Sequence, residues 1–399
     1  TTNITIKNCV LTDWYYGIYL ENSNNNILTN ITANSNFVGL FLFYSNSNTL
    51  TNITANSNTY GLYIHRSDLT KIQDSTFKDN TYWDVYLVVD TQWKQEFINV
   101  IGTDDKPIVY YNSSVTIENW YNNVSEIILG NADYSVLRNI FMNRSGVKNN
   151  GILLVGVDYA NLTNITIMNY RGLYLDHSNS NTLTNITSNS NSYGLYFGAS
   201  NSNTLTNITA NSNSYGLYFG ASNSNTLTNI TSNSNYKYGL YLSYSNYNTI
   251  KDSKFQDNTY YGIYLYSSSN NLIYNNLFNN TNNFGFGGTI YANYWNTTKQ
   301  PGSNIWNSSL GYIGGNLWTN PDGTGYSDTC KDTDYDGFCD DPYTLTTDNI
   351  DYLPIAKVVG QGAPTPTPTP TLSVTFNFNK VDFGTVNIYQ YNPALNQEL

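Results

Sequence analysis

The phrase NTLTNITSNSNSYGLYFGASNS begins at Asn181, and a near copy, NTLTNITANSNSYGLYFGASNS, begins at Asn203. The period is 22 residues, and repeats of that length build solenoids or similar arrays. Each unit alternates short apolar runs with Asn, Ser and Gly, which is strand and turn composition. A unit so small cannot bury its own apolar face, so it must stack on its neighbours. The chain is therefore expected to be all-β, a right-handed parallel β-helix with one coil per phrase.

Glycine sets the register. The phrase Gly-apolar-aromatic-apolar starts at Gly17, Gly39 and Gly61, then at Gly151 (with Leu153 in the aromatic place), Gly172, Gly194, Gly216, Gly239 and Gly262. Asp84 fills the slot after Gly61, and Gly285 the slot after Gly262. Two weaker strands, PIVYY from Pro107 and EIILG from Glu126, keep the count between Asp84 and Gly151. About thirteen coils of 21 to 23 residues follow. At the strand spacing of a sheet they make a column roughly 60 Å long.

Volume argues which residues face inward. Leu28, Leu50, Leu183, Leu205 and Leu227 are each followed three residues on by Ile, and five on by Ala or Ser. Other coils invert the sizes, as in Ser75 with Phe77, Ser253 with Phe255 and Cys9 with Leu11. Trading large for small is what a close-packed interior requires. Ile165 with Ile167 breaks the pattern. Two residues before each Leu stands an Asn (Asn26, Asn48, Asn181, Asn203, Asn225, Asn248, Asn270), which reads as an amide ladder at a bend. Cys9 reads as an inert buried thiol.

The residue two after each Gly is expected on the outer face: Tyr19, Phe41, Tyr63, Tyr86, Tyr174, Tyr196, Tyr218, Tyr241 and Tyr264. Such a ladder of rings can simply stack and stabilise the sheet, or serve as an interface or a glycan-binding groove.

Composition narrows the partners. The net charge is −11 with only 11% charged residues, and no basic patch points to nucleic acid. No apolar run is long enough for a membrane span. The chain opens inside a coil without a signal peptide, as a trimmed product would. Sequons recur at the bend before the inward Ile, at Asn30, Asn52, Asn164, Asn185, Asn207 and Asn229. They point to a secreted, cell-surface setting and to glycosylation, although an Asn/Thr-rich repeat also makes sequons by chance.

Residues 1–291 are assigned to the β-helix, with an irregular insertion at 88–150 that is a natural place for a unique site. Residues 292–357 turn Trp-, Gly- and Asp-rich and are expected to form a C-terminal cap on the β-helix. Residues 358–373 form a stiff Pro/Thr linker, and 374–399 read as strands of a β tail that could pair with a neighbouring molecule. Within 292–357, Asp332, Asp334, Asp336 and Gly337 match the opening of a calcium loop, with the Phe338 carbonyl, Asp340 and Asp341 as further ligands. The alternative is a solvated acidic turn. Cys330 and Cys339 bracket the loop and could form a disulfide in an oxidising compartment.

Asn-rich coils, then ANYW, then SDTCKDTDYDGFCDDPY and DYLP, resemble the NosD-type family of parallel β-helix repeat proteins. The NTLTNITANSN phrasing is similar to archaeal cell-surface members. The family's named role is in copper-enzyme maturation; this chain holds two His and two Met, few of the ligands copper favours.

Near-identical coils argue against a catalytic groove, because a site needs dissimilar groups converging. Asp158, Arg171, Asp176 and His177 fall in adjoining coils and are the cluster to test. The sequence reading is a non-enzymatic structural subunit of a surface layer, sheath or filament, partnered by copies of itself. The alternative is a glycan-binding module that uses the aromatic ladder, with polysaccharide cleavage third.

Overall fold

A computed structural model of the chain describes residues 2–88, 94–143, 151–168 and 171–357, together with two short strands at 391–392 and 397–398. The linker and most of the β tail expected at 358–399 lie outside the described residues. The two short strands, Tyr391–Asn392 and Gln397–Glu398, pair antiparallel in a small unit of their own.

The repeat becomes a right-handed parallel β-solenoid of about a dozen turns. Each 22-residue step lays one coil on the last, like on like. Leu183 pairs with Leu205 and Leu205 with Leu227, and Tyr196 pairs with Tyr218. The inward positions are those the volume argument gives. Leu28, Ile31 and Ala33 are 0–1% exposed, as are Phe77 and Phe255 where the sizes invert. Ile165 and Ile167 are both buried, and the coil before repeats the large pair with Ile140 and Met142.

Coils turn at residues with left-handed backbone. Asn30, Asn52, Asn185 and Asn207 have φ between 53 and 57°, a region Asn tolerates better than most residues. This bend lets Leu and the Ile three residues on both point inward. Glycine is needed elsewhere for close approach. A Cβ on Gly194 would stand 2.5 Å from the Gly216 carbonyl oxygen and 2.9 Å from the Ala210 Cβ.

Buried side chains lace the coils together. In the expected ladder the Asn181 amide N–H donates to Asn203 Oδ1 at 2.8 Å, and Asn203 to Asn225 at 2.8 Å. The column runs through Asn248, Asn271 and Asn293 to Asn349. Asn271, not Asn270, is the member in its coil, because Ile273 rather than Leu272 pairs with Ile250. Other buried columns, not expected from sequence, run beside it. A serine column passes through Ser178, Ser200 and Ser222. A second Asn column passes through Asn36, Asn58 and Asn80 and ends on Asp84, which accepts from Asn80 Nδ2 at 2.9 Å.

The solenoid is not one column. A five-stranded sheet (Thr5–Thr12 to Glu96–Ile101) and a four-stranded sheet (Tyr16–Glu21 to Trp83–Val88) form a first stack. A nine-stranded sheet (Ile108–Tyr111 to Phe284–Gly287) and an eleven-stranded sheet (Thr116–Tyr121 to Leu317–Thr319) form a second. The expected insertion at 88–150 is where one stack ends and the next begins, and its described residues are largely regular strands.

The join is apolar. Val85 and Leu87 face inward in the last coil of the first stack. They share a core cluster with Ile128, Leu153 and Val155, which stand on the outer face of the nine-stranded sheet. Strand alternation explains the division, since Ile127, Leu129, Ile152 and Leu154 belong to the second core. The flank of the second stack thus packs against the end of the first. Asp84 replaces Gly at this end, where no glycine-phrase strand follows in the sheet. Its carboxylate instead accepts from the Thr103 N–H at 2.8 Å and hydroxyl at 2.7 Å.

Trp295 and Trp318 close the far end of the second core. Both are fully buried. Trp295 Nε1 donates to Asn349 Oδ1 at 3.0 Å, and Trp318 Nε1 to Asp351 Oδ2 at 2.9 Å. Cys9 is half-buried rather than buried, since the first described coil is covered on one face only.

Candidate functional site

The expected aromatic ladder exists as two columns, one per stack. Phe41 and Tyr63 stack at 4.5 Å, Tyr174 and Tyr196 at 4.8 Å, and Tyr196 and Tyr218 at 5.1 Å. Most of these rings are half-buried by one another, so stacking is part of their role. A second column stands beside them, built from the residue just before each Gly. Tyr60, Tyr193, Tyr215 and Tyr238 belong to it, with Tyr193 and Tyr215 stacked at 4.9 Å. The recurring Tyr-Gly dipeptide was the signal for this column, and the sequence reading did not use it.

The columns of the two stacks meet at the join. Trp83 of the first lies edge-on to Tyr174 of the second, with centroids 5.6 Å apart. A cleft of about 290 Å³ opens there, lined by Tyr60, Trp83, Tyr86, Arg171, Asp176 and Tyr196, among others. Here the uniformity of the coils breaks. Arg171 takes the place that Tyr193, Tyr215 and Tyr238 hold in later coils. Its guanidinium carbon lies 4.3 Å from the centre of the Trp83 ring and 5.2 Å from that of Tyr82. Asp176 takes a place held by Gly198 and Gly220 in later coils. A Cβ on Gly198 would come within 3.0 Å of Asp176 Oδ1 and 3.1 Å of Tyr196 Cε1, so this glycine leaves room for both.

Burial shapes the acid–base properties. It pushes the Asp176 carboxyl above its usual range, against the opposing pull of His177. His177 Nδ1 lies 3.0 Å from Asp176 Oδ1. Burial raises the Tyr86 hydroxyl to about 12, and raises Tyr174 and Tyr196 as well. These phenols stay neutral donors at ordinary pH. Of the cluster singled out by sequence, Arg171, Asp176 and His177 come together. Asp158 does not join them; its Oδ1 accepts from the Asn179 N–H at 2.6 Å in a turn column.

The acidic loop brings three of its carboxylates together. Asp332, Asp334 and Asp340 place carboxylate oxygens within 4.8 Å of one another. Asp336 is instead paired with Lys299 at 2.6 Å, and Asp341 is exposed and stands outside the group. Phe338 is buried against Leu317 and Ile355. Gly337, at φ 87°, makes the turn, and a disulfide joins Cys330 to Cys339.

The sequon asparagines Asn30, Asn52, Asn164, Asn185, Asn207 and Asn229 are exposed and form a ladder of their own. Asn52 Nδ2 donates to Asn30 Oδ1 at 2.9 Å, and Asn207 to Asn185 at 3.0 Å.

Residues 1–141 match the family model described as "Right handed beta helix region". The fold is a right-handed β-helix. Residues 150–323 of this β-helix match the family model described as "Periplasmic copper-binding protein (NosD)". No curated protein matches the chain. Among solved structures, a mutant of the periplasmic alginate epimerase AlgG is 9% identical over 68% of this chain and 74% of its own, with a TM-score of 0.33. The enzymatically active domain of bacteriophage CBA120 tailspike protein 2 is 12% identical over 78% of this chain and 46% of its own, with a TM-score of 0.28. Likenesses this distant say nothing about chemistry. Among the described residues no helix is long and apolar enough to cross a membrane.

Proposed function

We propose that this β-helix is an extracytoplasmic carbohydrate-binding protein and that the cleft at the join is its site. One observation carries the reading: two columns of aromatic rings converge on a cleft that also holds Arg171 and Asp176. Aromatic faces cover the apolar faces of a sugar ring, and a few polar groups fix its orientation. The periplasmic description of the matched family supports the compartment. Affinity electrophoresis in gels containing different polysaccharides tests it. Wild type should be retarded by at least one polymer and Tyr196→Ala much less; equal mobility in every gel would overturn the reading.

A surface-layer or filament subunit is the second reading. It is favoured by the side-chain ladders, which tie each coil to the next and make a stiff element. Electron microscopy of concentrated protein decides it: ordered arrays support the reading, and separate rods remove it. For the acidic loop we propose a structural Ca²⁺ held by Asp332, Asp334 and Asp340, an oxygen donor set suited to a hard cation.

A further inference from the structure

We propose that the ligand of the cleft is a carboxylate-bearing polysaccharide, with its acid group paired to Arg171. The inference rests on the carbohydrate-binding reading and adds the charge class of the glycan.

Among the described residues Arg171 has no counter-ion; its guanidinium lies over the rings of Tyr82 and Trp83. No carboxylate pairs with it, and its Nε is buried without a hydrogen-bond partner. Arg138, by contrast, is paired to Glu118. A half-buried guanidinium with no carboxylate beside it is costly, and an incoming carboxylate at its terminal nitrogens would relieve that cost. Its planar fork matches a carboxylate in a bidentate pair, and stacking on Trp83 fixes the plane beforehand.

The placement is specific. In later coils the same position carries tyrosine, so the chain departs from its own repeat to put a cation in the cleft. A second cation, Lys237, lies on the same aromatic face, its Nζ 2.8 Å from the Tyr215 hydroxyl. It sits three coils further on, roughly 14 Å along the column at the spacing of strands. These cations stand on a protein whose net charge is −11. Among the described residues Asp176 is the only acid lining the cleft, and its carboxylate can accept from sugar hydroxyls.

The test compares polygalacturonate with its fully methyl-esterified form, one chain with and without charge, by titration calorimetry on the wild-type protein. The acid form should bind roughly tenfold tighter or better at low salt, the worth of one charge-assisted pair, and should lose that margin as salt rises. Arg171→Gln should bring the acid down to the level of the ester, the readout being the ratio of the two affinities in the same variant. Its melting temperature shows whether the join remains folded, and the wild-type comparison stands without it. Equal binding of the two forms, or a preference that survives Arg171→Gln in folded protein, would overturn the proposal while leaving carbohydrate binding intact. If neither these polymers nor neutral glycans bind, the underlying reading falls as well.

Discussion

The Arg171 guanidinium stacks 4.3 Å from the Trp83 ring centre, and the two residues belong to different stacks of the solenoid. Trp83 occupies the last coil of the first stack and Arg171 the flank of the second. Each replaces a tyrosine of the repeat, so the site and the join are made by the same departures from regularity.

The join should be sensitive where an ordinary outer face would not be. Leu153 points outward from its strand yet is 4% exposed, packed with Val85 and Leu87. Leu153→Ala should cost about 2–4 kcal/mol in a denaturant melt, the range for a buried leucine. Thr204→Ala, at an exposed position of a regular coil, should change the melt by less than about 0.5 kcal/mol.

Backbone approach makes the phrase glycines hard to replace. Gly194→Ala places a methyl 2.5 Å from the Gly216 oxygen. The coils must part, at a cost of about 1–3 kcal/mol for overpacking. Thermal melts of this variant and wild type check it.

The ladders should behave as buried hydrogen bonds. Asn203→Ala removes the acceptor for the Asn181 N–H and the donor to the Ser178 carbonyl. Two buried backbone groups lose a partner, so a loss of about 2–4 kcal/mol is expected. Asn203→Asp keeps the acceptor and should cost less below the carboxyl pKa. Urea melts at two pH values distinguish them.

Asp351 gives a pH dependence with a definite sign. Burial raises its carboxyl to about 7, against hydrogen bonds from Asn316, Trp318 and Leu353. In the unfolded chain it titrates near about 4. The folded state therefore holds the proton more tightly, and this contribution is full below pH ~4 and is lost as pH rises through 7. The melting temperature should fall between about pH 4 and 7, and Asp351→Asn should flatten that slope. An unchanged slope would place the titration elsewhere.

Calcium at the acidic loop predicts a lower melting temperature in EDTA, restored by Ca²⁺ and not by Mg²⁺. An unchanged melt would remove the ion as a structural element.

The fold was legible because a short repeat has few ways to bury itself. Glycine spacing gave the register, and size trading between positions gave the core. The join was not, since its signal is the absence of a pattern. Leu153 in place of an outer tyrosine looks like a weak coil until the end of another stack is seen against it. Arg171 and Asp176 were visible as oddities among the repeats, but Trp83 was not linked to them, because 88 residues separate it from Arg171. At the acidic loop the spacing of the carboxylates was legible, whereas the ion pair of Asp336 with Lys299 was not, because Lys299 is distant in sequence.

Hydroxyl-radical footprinting with and without a bound polysaccharide tests the central claim most directly. Protection concentrated on Tyr60, Trp83, Tyr86, Tyr193 and Tyr196 is the result expected if the join is the binding site. Protection spread evenly over Tyr218, Tyr241 and Tyr264, or confined to the acidic loop, would contradict it.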